Sequence, residues 1–103
     1  MNYQLVLQFP GDTEEDLEAI VDLEDQLAEA LGEDADVDGH DIGCGQINLF
    51  IYTSDPSVTF QAAKPVLQKA EMLKNLTAAF RDVEGEDYTV IWPSGSKRKF
   101  EVI

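Results

Sequence analysis

Tyr3, Leu5, Leu7 and Phe9 alternate with Gln4, Val6 and Gln8, the period of two that marks a half-buried strand. Pro10-Gly11 ends it. The period then changes. Leu17, Ile20, Val21, Leu27, Ala28 and Leu31 recur at helical spacing, and predict one apolar stripe on a helix over Asp12–Leu31. Asp12 is placed to cap it, with Glu15 reaching back as a capping box. Gly32 falls just past its end. Asp16, Glu18, Asp22, Asp25 and Glu29 lie outside the stripe and are expected in water.

Read with period two, Asp34, Asp36, Asp38 and His40 share one face of an extended segment. Gly43-Cys44-Gly45 then supplies a hairpin connection into Ile47-Asn48-Leu49-Phe50-Ile51-Tyr52-Thr53, apolar on both faces and the expected central strand. Ser54-Asp55-Pro56 opens a second helix with buried positions Phe60, Ala63, Leu67 and Ala70. Pro65 predicts a kink or break in it. In residues 76–83 alanine content favours helix, whereas Leu76, Ala78 and Phe80 alternate. A turn at Glu84–Asp87 leads into Tyr88-Thr89-Val90-Ile91-Trp92, so strand–turn–strand is the expectation here. Lys97-Arg98-Lys99 with Phe100–Ile103 forms a short last strand or a tail.

That order is an α+β, ferredoxin-like βαββαβ sandwich: an antiparallel sheet with two helices on one face and an extra C-terminal strand or hairpin, in a single domain over 1–103. Two stretches, Asp36-Val37-Asp38-Gly39-His40 with Asn48-Leu49-Phe50-Ile51 and Asp55-Pro56, and Arg81 with Gly85-Glu86-Asp87-Tyr88-Thr89-Val90-Ile91-Trp92-Pro93, resemble small uncharacterised bacterial proteins with a ferredoxin-like fold. The resemblance covers most of the chain from residue 36. It implies the fold and brings no catalytic motif with it.

Composition changes the picture through charge. The net charge is −14, yet 44% of the residues are hydrophobic, which argues for a folded chain rather than an acidic disordered one. Residues 1–63 hold fifteen Asp or Glu and no Lys or Arg, whereas residues 64–103 hold seven Lys or Arg against six acids. Such a field repels phosphate backbones and anionic membrane surfaces, so neither nucleic acid nor membrane is an expected partner. A basic protein surface or a cation is favoured. No stretch reaches the roughly 18 to 20 apolar residues of a membrane span, and the first residues do not read as a secretory signal. One cysteine permits no internal disulfide. These features together predict a cytoplasmic protein.

Candidate chemistry collects at residues 34–46. Asp34, Asp36, Asp38 and Gly39 match the first half of an EF-hand loop, but its eighth position is Asp41 and its twelfth is Gly45. Without the closing bidentate Glu only a weak calcium or magnesium site is expected, and no other cofactor. His40 beside Asp38 and Asp41 is a poor zinc set and a base without a nucleophile, but a candidate pH-sensitive contact. Cys44 has no basic neighbour in sequence to activate it. Tyr88 and Trp92 could line a ligand pocket or belong to a core or dimer interface. Lys97-Arg98-Lys99 is a small basic patch that could pair with the acidic helix.

Three functional readings follow. The first is a non-enzymatic interaction module, inhibitor-like or immunity-like, whose Asp16, Asp22, Asp25, Glu29, Asp36, Asp38 and His40 meet a basic partner. The second is a divalent-cation domain at Asp34, Asp36 and Asp38. The third is a small-molecule-binding or enzymatic homodimer that uses the open sheet face.

Overall fold

The computed structural model describes residues 1–95 and 100–102. Strand β1 (Tyr3–Pro10) leads to helix α1 (Glu14–Leu31), a 3-10 turn (Gly32–Asp34), strands β2 (Ala35–Gly43) and β3 (Gln46–Thr53), helix α2 (Pro56–Lys69), and strands β4 (Thr77–Asp82) and β5 (Thr89–Trp92). The strands form one antiparallel sheet in the order β2-β3-β1-β4-β5. This α+β arrangement is compatible with a ferredoxin-like fold. Strand β3 is interior as expected, but the middle of the sheet is β1, which pairs with both β3 and β4.

One face of the sheet carries the main core. Leu5, Leu7 and Phe9 of β1 and Ile47, Leu49 and Ile51 of β3 pack with Ile20, Leu23, Leu27 and Leu31 of α1 and Phe60, Ala63 and Leu67 of α2. Two positions of the helix stripe differ from the spacing argument. Val21 is 45% exposed and Ala28 is also exposed, while Leu23 is buried. The face that meets the sheet is centred on Ile20, Leu23, Leu27 and Leu31, one position round from the face a stripe through Val21 and Ala28 would give.

The cap of α1 sits one residue later than Asp12 and Glu15 suggested. Thr13 is extended (φ −96°, ψ 161°), its hydroxyl accepts from the Asp16 N–H at 3.1 Å, and the Asp16 carboxylate accepts from the N–H groups of Thr13 and Asp12 at 3.3 and 3.2 Å. Gly11 makes room for this. At its φ of +151°, a Cβ would stand 2.8 Å from Asp16 Oδ2. At the other end Gly32, with φ +59°, closes the helix.

Helix α2 begins as the sequence predicts. Asp55 caps it by accepting from the Val58 N–H at 3.2 Å, and Pro56 occupies the first turn. Pro65 does not break it; α2 runs unbroken to Lys69. The carbonyl that loses its donor belongs to Gln61, which is exposed, so water can replace the missing bond. In β4 the alternation wins over the helix propensity of alanine, because Ala78 and Ala79 are both fully buried, one on each face of the sheet.

Two register shifts decide where side chains point. Asp38 is the extra residue of a bulge in β2: Val37 pairs with Ile51 and Gly39 with Phe50. A second shift separates Trp92, opposite Ala78, from Val90, opposite Ala79. Each reverses the period-two parity beyond it. The β2–β3 hairpin turns at Cys44-Gly45, with φ of 53° and 78°, the pattern of a type I′ turn.

Candidate functional site

The exposed acidic positions of the first half of the chain lie mainly on α1, the 3-10 turn and the edge strand β2. Glu14, Glu15, Glu18, Asp22, Asp25 and Glu29 are exposed on α1, Glu33 and Asp34 follow in the 3-10 turn, and Asp36, Asp38 and Asp41 are exposed on β2. β2 pairs only with β3, so its outer backbone donors and acceptors have no strand partner among the described residues. None of the α1 carboxylates just named is paired with a Lys or Arg among the described residues. Among the described residues the α1 carboxylates are thus not neutralised by a Lys or Arg, and the outer edge of β2 is left without a strand partner.

Asp16 and His40 do different work from the other positions expected there. The Asp16 carboxylate is engaged in the N-terminal cap, and its pKa is lowered, chiefly by the side-chain hydrogen bond with Thr13 and then by the Thr13 backbone N–H. The bulge places His40 opposite Leu49, on the helix side of the sheet. There His40 Nδ1 is bonded to the Glu24 carboxylate of α1. Both side chains are largely withdrawn from solvent, 28% and 18% exposed. His40 thus ties the edge strand to the helix. Glu24 was not among the residues singled out by charge, although Ile20, Glu24, Leu27 and Leu31 stand at stripe spacing. A carboxylate inside an apolar stripe was the available signal for a partner.

Asp34, Asp36 and Asp38 are not gathered into a loop. Asp34 ends the 3-10 turn, Asp36 lies in β2 opposite Tyr52, and Asp38 occupies the bulge. Residues that imitate an EF-hand loop in sequence are here mostly extended strand. Among the described residues no group of three or more His, Cys, Asp or Glu is placed to hold a metal ion.

The second face of the sheet is partly covered by the chain itself. Phe100 packs with Val6 and Ala79, bordered by Phe50, Tyr88, Val90 and Val102. The Tyr88 and Phe100 rings are 4.9 Å apart. A polar line fixes this cover: Gln8 Nε2 donates to the Glu101 carbonyl at 2.8 Å and to Asn48 Oδ1 at 3.0 Å, and Asn48 Nδ2 donates to Asp41 at 3.1 Å. A ligand or a second copy on this face would first have to displace residues 100–102. Trp92 is on the opposite face from Tyr88. It packs 5.9 Å from Phe60, donates to the Leu73 carbonyl at 3.3 Å, and lies under the Lys64 ammonium.

Arg81 is likewise occupied. It donates to Gln4 Oε1 at 3.0 Å and to the carbonyls of Asp82, Val83 and Gly85, which clamps the turn after β4. Cys44 is an exposed free thiol at the hairpin tip. Lys97, Arg98 and Lys99 lie outside the described residues. No helix among the described residues is long and apolar enough to cross a membrane. Compared with known protein families, with curated proteins and with solved structures, the chain matches none.

Proposed function

We propose that this chain is a cytoplasmic, ferredoxin-like βαββαβ domain that acts without catalysis, by offering the acidic surface of α1 and β2 to a basic protein partner. An inhibitor-like or immunity-like role, in which a basic catalytic surface is covered, is the concrete form of this reading. The observation that supports it is the unneutralised charge itself: Asp22, Asp25 and Glu29 are exposed on α1, and Asp36 and Asp38 on β2, an edge strand whose outer side has no strand partner among the described residues. Opposed charge accelerates encounter and sets orientation. A strand edge can add a main-chain ladder once contact is made. His40 contributes through Glu24, by holding β2 against α1.

The test is capture of partners from the source lysate, followed by affinity measured against salt. The reading requires partners with high isoelectric points and binding that weakens steeply between about 50 and 500 mM salt, as exposed charges are screened. Replacing Asp22, Asp25 and Glu29 together by Lys should abolish capture. Binding indifferent to salt and to these replacements overturns it.

A further inference from the structure

The apolar stripe of α1 is wider than the core it meets. Leu17, Val21, Glu24 and Ala28 recur at helical spacing, along one flank of the helix beside the buried face of Ile20, Leu23, Leu27 and Leu31. On that flank Leu17 and Glu24 are half-buried, whereas Val21 and Ala28 are exposed. Strand β2 has an uncovered apolar residue of its own. Ile42 pairs with Ile47, a residue of the main core, and so lies on the helix side of the sheet. It is nevertheless 45% exposed, the same as Val21.

The bond between Glu24 and His40 brings these residues together. α1 ends at Leu31 and β2 begins at Ala35, after one 3-10 turn, so helix and strand lie side by side and run in opposite directions. Val21 precedes Glu24 by one turn, and Ile42 follows His40 by two residues. Both are therefore displaced from the bond the same way, by about 4.5 and 6.6 Å along their elements, and share one level of the seam. Ala28 and the half-buried Val37 lie in the other direction. An apolar line thus follows the α1–β2 seam, roughly 16 Å long from Leu17 to Ala28 at about 1.5 Å per residue.

Carboxylates border this line on the solvent side of α1. Glu18 and Asp25 stand one turn before and after Val21, and Asp22 is next to it. All three are exposed, and none is paired with a Lys or Arg among the described residues. We propose that the seam docks a basic amphipathic helix, with its apolar side chains on Val21 and Ile42 and its Lys or Arg on Glu18, Asp22 and Asp25. This rests on the acidic-surface reading above and names the contact within it. Charge selects the occupant: a second copy would bring a further net −14 against these carboxylates, whereas a basic helix brings the opposite sign. Exposed ion pairs alone contribute little, and the two apolar anchors supply what they lack. A helix laid in an apolar groove matches the straight run of the line.

The probe is a synthetic Leu/Lys peptide of about 14 residues, with Leu on one helical face. It is titrated into the whole chain at about 0.15 M salt. The controls are a scramble of the same composition without an apolar face, and a version with Glu in place of Lys. The methyl resonances of Val21 and Ile42 should shift saturably with the amphipathic peptide and with neither control. Both residues are exposed, so Val21→Gln combined with Ile42→Thr should fold normally and weaken binding about tenfold. Glu18→Gln with Asp25→Asn should also weaken it, by a factor that shrinks as salt rises to about 0.5 M. Equal binding of the scramble overturns the docked helix and leaves the acidic-surface reading standing. Binding indifferent to the Val21 and Ile42 replacements does the same, as does no saturable shift by about 0.5 mM peptide. Self-association of the parent that Val21→Gln removes would assign the seam to a second copy, and also overturns the proposal.

Discussion

His40 on β2 and Glu24 on α1 are joined side chain to side chain, across the seam between the edge strand and the helix that packs on it. Among the described residues β2 has a strand neighbour on one side only, so this bond is a tether that backbone pairing does not supply. Partly exposed pairs of this kind are worth about 0.5–1 kcal/mol. A double-mutant cycle with His40→Ala and Glu24→Ala, read by urea unfolding, should give a coupling energy of about that size. Replacing both by apolar residues, Glu24→Leu with His40→Val, should match or exceed the parent, because position 24 lies in the apolar stripe and neither charge is then left unpaired. Amide exchange of β2 in the single variants should rise ahead of that of β1.

The capping box makes a prediction in pH. The Asp16 carboxyl is held below its ordinary value of 3.8, first by its side-chain hydrogen bond with Thr13. A depressed folded-state pKa contributes stability that is complete above the unfolded value and is lost as pH falls through the folded one. Thr13→Ala should lower the melting temperature at neutral pH by about 4 °C. The gap between parent and variant should then narrow as pH drops below 3.8. Thermal melts from pH 7 down to pH 2 read this directly, and a gap independent of pH would show that Asp16 is not the group involved.

Much of the fold was legible because its signals are local. The alternation in Tyr3–Phe9, the caps Asp55-Pro56 and Gly32, and the glycine turn at residues 43–45 each act within a few residues. What escaped were effects of parity and cover. Gly39, a glycine inside a strand, is the only local hint of a bulge in Asp36-Val37-Asp38-Gly39, and the one extra residue moves His40 to the helix side and separates it from Asp36. The same effect parts Tyr88 from Trp92. Val6 looked like a solvent-facing position between two glutamines, and is buried because Phe100 returns over it from 94 residues away. The candidate site divides in the same way. Its charge could be read from composition, whereas the pairing of His40 with Glu24 depends on the bulge.

Phe100 is the keystone of the cover over Val6 and Ala79. Phe100→Ala should cost about 2–3 kcal/mol, below the full value for a central aromatic because the site lies near the surface and can partly collapse. It should also expose an apolar strip on the sheet and increase binding of a hydrophobic dye. Gln8→Leu keeps the volume but releases the Glu101 carbonyl and one bond to Asn48, which is fully buried. A loss of about 1–2 kcal/mol is expected. If dye binding stays at the parent level in both variants, residues 100–102 do not hold this cover in solution.

The acidic face of α1 carries a cost that separates function from solubility. Glu14 and Glu18, Glu18 and Asp22, and Asp25 and Glu29 are spaced four apart, and the last turn has no basic residue to meet the helix dipole. Each such like-charge pair destabilises a helix by about 0.2–0.5 kcal/mol, and a cation near the C-terminus would add a comparable gain. Glu29→Lys removes one pair and places a cation in that last turn, so it should raise stability by about 0.5–1 kcal/mol at low salt. The gain should shrink as salt rises. Adding salt to the parent should itself raise the melting temperature, since it screens repulsion among the α1 carboxylates. The same Glu29→Lys substitution should weaken capture of a basic partner. Stability and binding moving in opposite directions is the signature of charge kept for recognition. If Glu29→Lys stabilises the domain and leaves capture intact, that carboxylate has no part in the partner surface.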